Sequence, residues 1–165
     1  MPKLMSVDTS SPVSAPEVLR EITLLEEEPS LGAPKFVLTV AYVKREDWKG
    51  ILRPLMKKGE VNANPTLEEE GRFRSSVVNK SWRDWTGATL TNLCRLSDTY
   101  YNRKDQMKEQ GFSDEEELEY DQDNALALAT QMNSDHFSEV VNNIGNLEEF
   151  VVAQSKREKK DETSS

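Results

Sequence analysis

The sequence predicts an α+β domain in which an N-terminal antiparallel hairpin packs on a bundle of short helices, mostly α. A run of β-branched and aromatic residues at 36–43 is typical of a strand. Apolar residues recur at helical spacing later, in residues 77–87 and again from residue 119 onward. At 165 residues, the chain is long enough for one domain with a substantial core.

The hairpin is predicted from two apolar runs. Residues 18–25 form the first run and residues 36–43 the second, which is the clearer strand. Between them, three glutamates are followed by Pro29, Gly32 and Pro34, which favour a turn or loop. Since an isolated hairpin is marginally stable in water, helices are expected to cover one of its faces.

A first short helix is predicted after the hairpin, because apolar residues there follow the spacing i, i+3, i+4 and i+7. Pro54 should kink or end this helix near Arg53. Residues 59–65 are then expected to form a loop. The stripe of the helix consists of Trp48, Ile51, Leu52 and Leu55.

Two longer helices are predicted next. Thr66 and Glu69 fit a capping box for a helix that runs to about Trp82. A turn is expected at residues 84–87, and a further helix at residues 89–104.

An acidic linker is predicted at residues 105–123, where eight acids follow Lys108 without another base. Short helices are expected at residues 124–132, after Ser134 as far as Gly145, and from a cap at residues 146–149. The single α+β domain therefore spans residues 17–154. Residues 1–16 and 155–165 are expected to be a disordered leader and a disordered tail, since both are poor in apolar residues.

The chain is acidic, with 30 Asp and Glu residues against 21 Lys and Arg residues and a net charge of −9. Binding to a phosphate backbone needs an excess of bases, so no nucleic-acid partner is expected. Residues 44–58 hold six bases and two acids, which we interpret as the solvated face of a helix. No apolar run approaches the length of a membrane span or of a signal peptide, so a cytosolic protein without membrane contact is expected.

No catalytic or metal-binding pattern is found in the sequence. Cys94 is the single cysteine and lies among leucines, which favours a buried, inert thiol. His136 is the single histidine and has no motif that supplies a partner, so a surface or capping position is expected. The pair Asp121 and Asp123 resembles the start of a calcium loop, but that loop's glycine is replaced by Leu126. We expect no enzyme activity, cofactor or metal.

The aromatic residues suggest packing and partner contact instead. Trp82 and Trp85 lie three residues apart, and each is either a core residue or a contact residue in a partner's groove. As candidate partner-binding residues the sequence suggests Trp48, Trp85, Phe137 and Phe150.

The order of these motifs resembles the small tail assembly chaperones of long-tailed bacteriophages. The resemblance covers roughly residues 35–155. A strand at 36–43 leads into a helix, a block around the two tryptophans follows at 77–87, and paired short helices come after the acidic linker. The residues that carry it are Val77, Val78, Trp82, Trp85, Thr86, Gly87, Tyr120, Asp121, Asn124, Ala125, Leu126, Leu128, Phe137, Val140, Val141 and Phe150.

The resemblance implies a non-catalytic assembly factor. Such a protein binds the tape measure protein in several copies, keeps it soluble and helps to recruit tail tube subunits. It would act in the cytoplasm of the infected bacterium, could associate with itself, and would be absent from the mature virion. Two alternatives stay open: a structural subunit of a phage particle, and an acidic regulatory protein whose residues 114–123 bind a host factor.

Overall fold

The computed structural model describes residues 17–145 and Phe150. Within this part the chain is α+β, as predicted, with an antiparallel sheet and a set of short helices. The predicted leader at 1–16, the cap at 146–149 and the tail at 155–165 lie outside the described residues.

A three-stranded antiparallel sheet contains the predicted hairpin. Strand β1 (Leu19–Leu25) pairs with β2 (Phe36–Ala41), so that Ile22 lies opposite Leu38. The other edge of β2 pairs with β5 (Trp82–Thr86), which makes β2 the central strand. The prediction of a turn at residues 84–87 is therefore wrong for residues 84–86, which pair in β5.

A bulge explains why β5 was not evident from the sequence. Leu38 pairs with Trp85 and Val40 with Trp82, so two residues separate the tryptophans on β5 where one separates their partners on β2. The extra residue rotates the strand, and both indoles face the core although they are three residues apart. Inward residues at i and i+3 are the spacing of a helix, not of a regular strand.

Helices and one small hairpin make up the rest of the described chain. The predicted capping box is confirmed, since the Glu69 amide donates to Thr66 Oγ1 at 3.1 Å and the Thr66 amide donates to Glu69 Oε1 at 3.0 Å. The elements are α1 (Trp48–Leu52), β3 (Met56–Lys57), β4 (Glu60–Val61), α2 (Leu67–Ser81), α3 (Leu90–Leu96), α4 (Asp98–Asn102), α5 (Lys104–Glu109), α6 (Gln122–Gln131) and α7 (Ser134–Ile144).

The predictions of one helix at residues 89–104 and of a linker from residue 105 are both wrong in part. Ser97 is fully buried in an extended conformation, which separates α3 from α4, and its hydroxyl accepts from the Tyr100 amide at the start of α4. Helix α5 then occupies the beginning of the predicted linker, because Met107 has a buried site on the core. The short helix α1 is flanked by 3-10 turns at Arg45–Asp47 and Arg53–Leu55, in agreement with the predicted break at Pro54.

One hydrophobic core joins the sheet to the helices. The sheet contributes Phe36, Leu38 and Val40, and each of them is fully buried. Helix α2 packs on α6, and α7 lies against β1. The largest fully buried side chains from the later elements are Ile51, Val77, Trp82, Leu90, Leu93, Leu96, Leu128, Ile144 and Phe150.

Candidate functional site

Three of the four candidate contact residues lie in the core. The exposed fraction is 6% for Trp85, 4% for Phe137 and 0% for Phe150. In this folded state these three side chains are not accessible on the surface, and partner binding through them stays a prediction. Trp48 differs, because it is only half-buried.

Specific contacts hold the buried aromatics in place. The Trp85 indole N–H donates to the Leu118 carbonyl oxygen at 2.8 Å, and the Tyr120 ring meets the Trp85 ring edge-on at 4.9 Å between centroids. Phe137 lies beside Trp82, with ring centroids 6.5 Å apart. Tryptophan and phenylalanine bury large apolar areas, so these side chains serve the stability of the monomer.

Trp48 lies at the start of α1 and covers the end of α7. A Cβ atom placed on Gly145 would lie 3.3 Å from Cζ2 of the indole, so the ring rests directly on that glycine. Beyond this contact, Trp48 lines an open groove, which we call the α1 groove. Its lining residues are Arg45, Glu46, Trp48, Lys49, Leu52, Arg53 and Met56.

Two rows of side chains run along the α1 groove. Trp48 and Leu52 lie four residues apart in α1, and Met56, at the start of β3, lines the same groove. The second row is basic and consists of Arg45, Lys49 and Arg53, which are also four residues apart in the sequence. The groove therefore offers an apolar strip with positive charge beside it.

The apolar strip continues onto the hairpin of β3 and β4. Met56 and Val61 are register partners in that hairpin, so their side chains lie on the same face. Met56 is 36% exposed and Val61 is 60% exposed. A large apolar side chain that remains in water at such a position is a common feature of interaction surfaces.

The α1 groove is also positively charged in a protein of net charge −9. Arg45, Lys49 and Arg53 are exposed, and none of them forms an ion pair within residues 17–145. One of the acids in this region, Asp47, is partly neutralised by Lys80 of α2, with 3.9 Å between Oδ1 and Nζ. The sequence predicts this excess of bases and the placement of Trp48 and Leu52 on one apolar stripe, but not that Met56 extends the stripe.

The acidic segment, residues 114–123, is anchored to the core along its length. The Asp114 carboxylate accepts from the Thr91 amide at 2.7 Å and from the Thr91 hydroxyl at 2.8 Å, which caps α3. The Leu118 amide donates to the Ala88 carbonyl oxygen at 2.9 Å. Glu115, Glu116, Glu117 and Glu119 remain exposed to solvent.

The residues considered for catalysis or metal binding lie at a helix cap, in the first turn of a helix and in the core. Asp121, which resembled the first ligand of a calcium loop, accepts from the Asn124 amide at 2.7 Å and caps α6. His136 is half-buried in the first turn of α7. Cys94 is buried, as predicted, and burial raises the pKa of its thiol. Across the described ranges, no cluster of three or more His, Cys, Asp or Glu side chains is arranged to hold a metal ion.

A second cleft lies where α4 and α5 meet α6. Its lining includes the apolar residues Met107, Phe112 and Leu118 and the polar residues Arg103 and Gln106. The Tyr100 hydroxyl donates to the Ala127 carbonyl oxygen at 3.1 Å, and burial raises the pKa of this hydroxyl. This cleft is also lined by Gln110 and Asn124 and holds no tryptophan, whereas the α1 groove contains the half-buried Trp48, so the α1 groove is the better candidate for binding a partner.

The motifs that carry the phage resemblance converge in one core. Residues 77–87 supply the end of α2 and β5, and residues 119–129 supply the cap and body of α6. Of the helices in residues 17–145, none has the length and apolar content that crossing a bilayer requires. No protein-family model matches the chain, and no curated protein and no solved structure is significantly similar to it.

Proposed function

We propose that the protein is a bacteriophage tail assembly chaperone, which binds the tape measure protein, keeps it soluble and helps to recruit tail tube subunits. The observation that supports the proposal most is the α1 groove, where Trp48 is half-buried next to an exposed Met56. The order of the motifs from residue 36 to Phe150 adds the resemblance to this family.

The α1 groove suits a binding protein for physical reasons. Tryptophan in a partly apolar groove is the side chain most often found at the energetic centre of an interface. Helices of a client bind such grooves through apolar residues at i, i+3, i+4 and i+7. A net charge of −9 on the chaperone would keep the resulting complex soluble by repulsion between complexes.

A pull-down tests the proposed function. The tagged protein is expressed in infected bacteria, or with reconstituted phage genes, and every co-purifying protein is identified. We expect one very long, helix-rich phage protein among the bound proteins. Recovery of the tag in finished particles would contradict the chaperone and favour a structural subunit.

A second candidate function is supported by the acidic segment. Its exposed glutamates are held on a fixed backbone by the bonds of Asp114 and Leu118, so they present a defined negative surface. An acidic protein of this kind would bind a basic host factor. Binding would then weaken with salt and be lost when Glu115, Glu116 and Glu117 are changed to glutamine.

A further inference from the structure

The α1 groove combines an apolar strip with unpaired positive charge, and this combination restricts what can bind there. Trp48, Leu52 and Met56 form the strip. Arg45, Lys49 and Arg53 lie beside it at the same four-residue spacing. Both rows line one groove, so a partner that fills it meets the apolar strip and the positive charge together.

A complementary partner has an apolar stripe and carboxylates along its flank. Apolar side chains at i, i+3, i+4 and i+7 would cover the strip, and acids next to them would reach the three bases. Opposite charges across an interface fix the register of the partner and reject partners of the same charge. The bases are available for this role, since none of them has a carboxylate partner in the described part of the chain.

The first 16 and the last 11 residues of the sequence are poor matches by composition. Residues 155–165 contain four bases, three acids and no apolar residue, so they supply no apolar stripe. Residues 1–16 contain three prolines and one acid, which does not suit an acidic amphipathic helix.

The acidic segment of a second copy is also a poor match. Its exposed acids at residues 115–119 lie on irregular backbone, and Leu118 and Tyr120 within that segment are turned toward its own core. The acidic segment therefore does not present an apolar stripe together with its charges.

We propose that the α1 groove binds an amphipathic helix of another protein, with acidic residues flanking its apolar stripe. This inference rests on the proposed function, and it names the chemistry of the client segment. In the complex the client's stripe covers Trp48, Leu52 and Met56, and its carboxylates pair with Arg45, Lys49 and Arg53.

Two synthetic peptides of about 16 residues test the inference. Both have the same leucine stripe and alanine filler, and they differ only in glutamate or lysine at the flanking positions. Binding of each fluorescently labelled peptide to the full chain is measured by anisotropy at low salt and at physiological salt. We expect the glutamate peptide to bind at least about tenfold more tightly, and the difference to shrink with salt.

A matched pair of charge variants identifies the surface. Lys49→Glu together with Arg53→Glu should abolish the preference for the glutamate peptide. Arg103→Glu together with Lys108→Glu makes the same change of net charge at exposed bases elsewhere and should leave the preference intact. Circular dichroism shows whether both variants keep the fold.

Three results would overturn the inference: equal affinity for the two peptides, binding of neither peptide, or equal effects of the two double variants. Self-association that disappears only in the Lys49→Glu, Arg53→Glu variant would also overturn it, because a second copy would then be the occupant. The outcome is separable from the proposed function. If the Lys49→Glu, Arg53→Glu variant recovers the client as well as the unmodified chain does, the inference fails and the proposed chaperone function stands. If the glutamate peptide binds but no phage client is recovered, the inference stands and the proposed chaperone function fails.

Discussion

Arg74 is the charged side chain that is most deeply buried in the described part of the chain, and it joins α2 to the end of α6. Its Nη1 donates to the carbonyl oxygens of Ala129 at 2.7 Å and Met132 at 2.6 Å. Its Nη2 lies 3.2 Å from Glu70 Oε1, and its guanidinium lies over the Phe137 ring at 4.7 Å. The carbonyls at the end of a helix lack partners within the helix, so Arg74 satisfies groups that would otherwise be buried without hydrogen bonds.

Removal of this guanidinium should destabilise the fold. Arg74→Met keeps the aliphatic stem but leaves two helix-end carbonyls without their donor, and we expect a loss of about 2–4 kcal/mol in the free energy of unfolding. Urea denaturation measures this loss. The control is Arg72→Met on the same helix, where the ion pair with Glu68 is exposed and 3.9 Å long, and we expect a change of less than about 0.5 kcal/mol. Equal losses in the two variants would contradict the role of Arg74.

The thiol of Cys94 should react slowly while the protein is folded. It is 7% exposed, and burial raises its pKa, so the reactive thiolate is rarer than in an unfolded chain at the same pH. Labelling with a thiol reagent near pH 8 should be slow in buffer and fast in urea. Because the pKa of the Cys94 thiol is higher in the folded protein than in the unfolded chain, its contribution to stability is fully present at pH values below the pKa of the unfolded chain. This contribution is lost as the pH rises through the pKa of the folded protein. Equally fast labelling in buffer and in urea would contradict the burial of Cys94.

The bulge in β5 shows what an element's sequence can and cannot predict. The strand contains Trp82 and Trp85, and their spacing predicted a helix end followed by a turn. The inward direction of both indoles depends on pairing with β2, where Leu38 and Val40 are two residues apart. That pairing is a tertiary contact, so no local pattern in residues 77–87 could reveal it.

The turn after β5 depends on a glycine. Gly87 has a φ of +81°, and a Cβ atom at this position would lie 1.8 Å from the Lys35 carbonyl oxygen. We expect Gly87→Ala to destabilise the protein by more than ~2 kcal/mol, since both the backbone conformation and the space forbid a side chain.

Gly32 provides the control for this prediction. Its φ is also positive, at +64°, but a Cβ atom there would meet nothing within 4 Å. Gly32→Ala should therefore cost only the conformational term of about 1 kcal/mol. Thermal unfolding of both variants measures the difference. An equal decrease in melting temperature would show that the contact with Lys35 is unimportant.

Local signals in the sequence were sufficient for several elements. The capping box at Thr66 and Glu69 and the break at Pro54 depend on neighbouring residues, and both were predicted correctly. The division between α3 and α4 was not predicted, because a serine at this position also fits the exposed face of a continuous helix. Ser97 is extended and packed into the core, which the local sequence does not reveal. Local chemistry predicts caps and breaks, whereas tertiary packing decides where a continuous pattern is interrupted.

For the whole molecule, the fold class was predictable and the exposed surface was not. The apolar pattern of the sequence identifies four large side chains that could be buried, namely Trp48, Trp85, Phe137 and Phe150. It does not show which of them are covered by another helix, strand or loop and which remain exposed. Trp85 is covered by Tyr120 of the acidic segment, which is far along the chain. Trp48 contacts Gly145 and also lines the α1 groove.

The proposed chaperone function is tested by a solubility measurement. The tape measure protein that we propose as the client is expressed alone and together with this chain, and its soluble fraction is quantified after centrifugation. We expect the client to be largely insoluble alone, to become soluble when the chain is present, and to become insoluble again with Trp48→Ser. A client that stays insoluble in the presence of the intact chain, or is equally soluble without it, would show that the protein is not its chaperone.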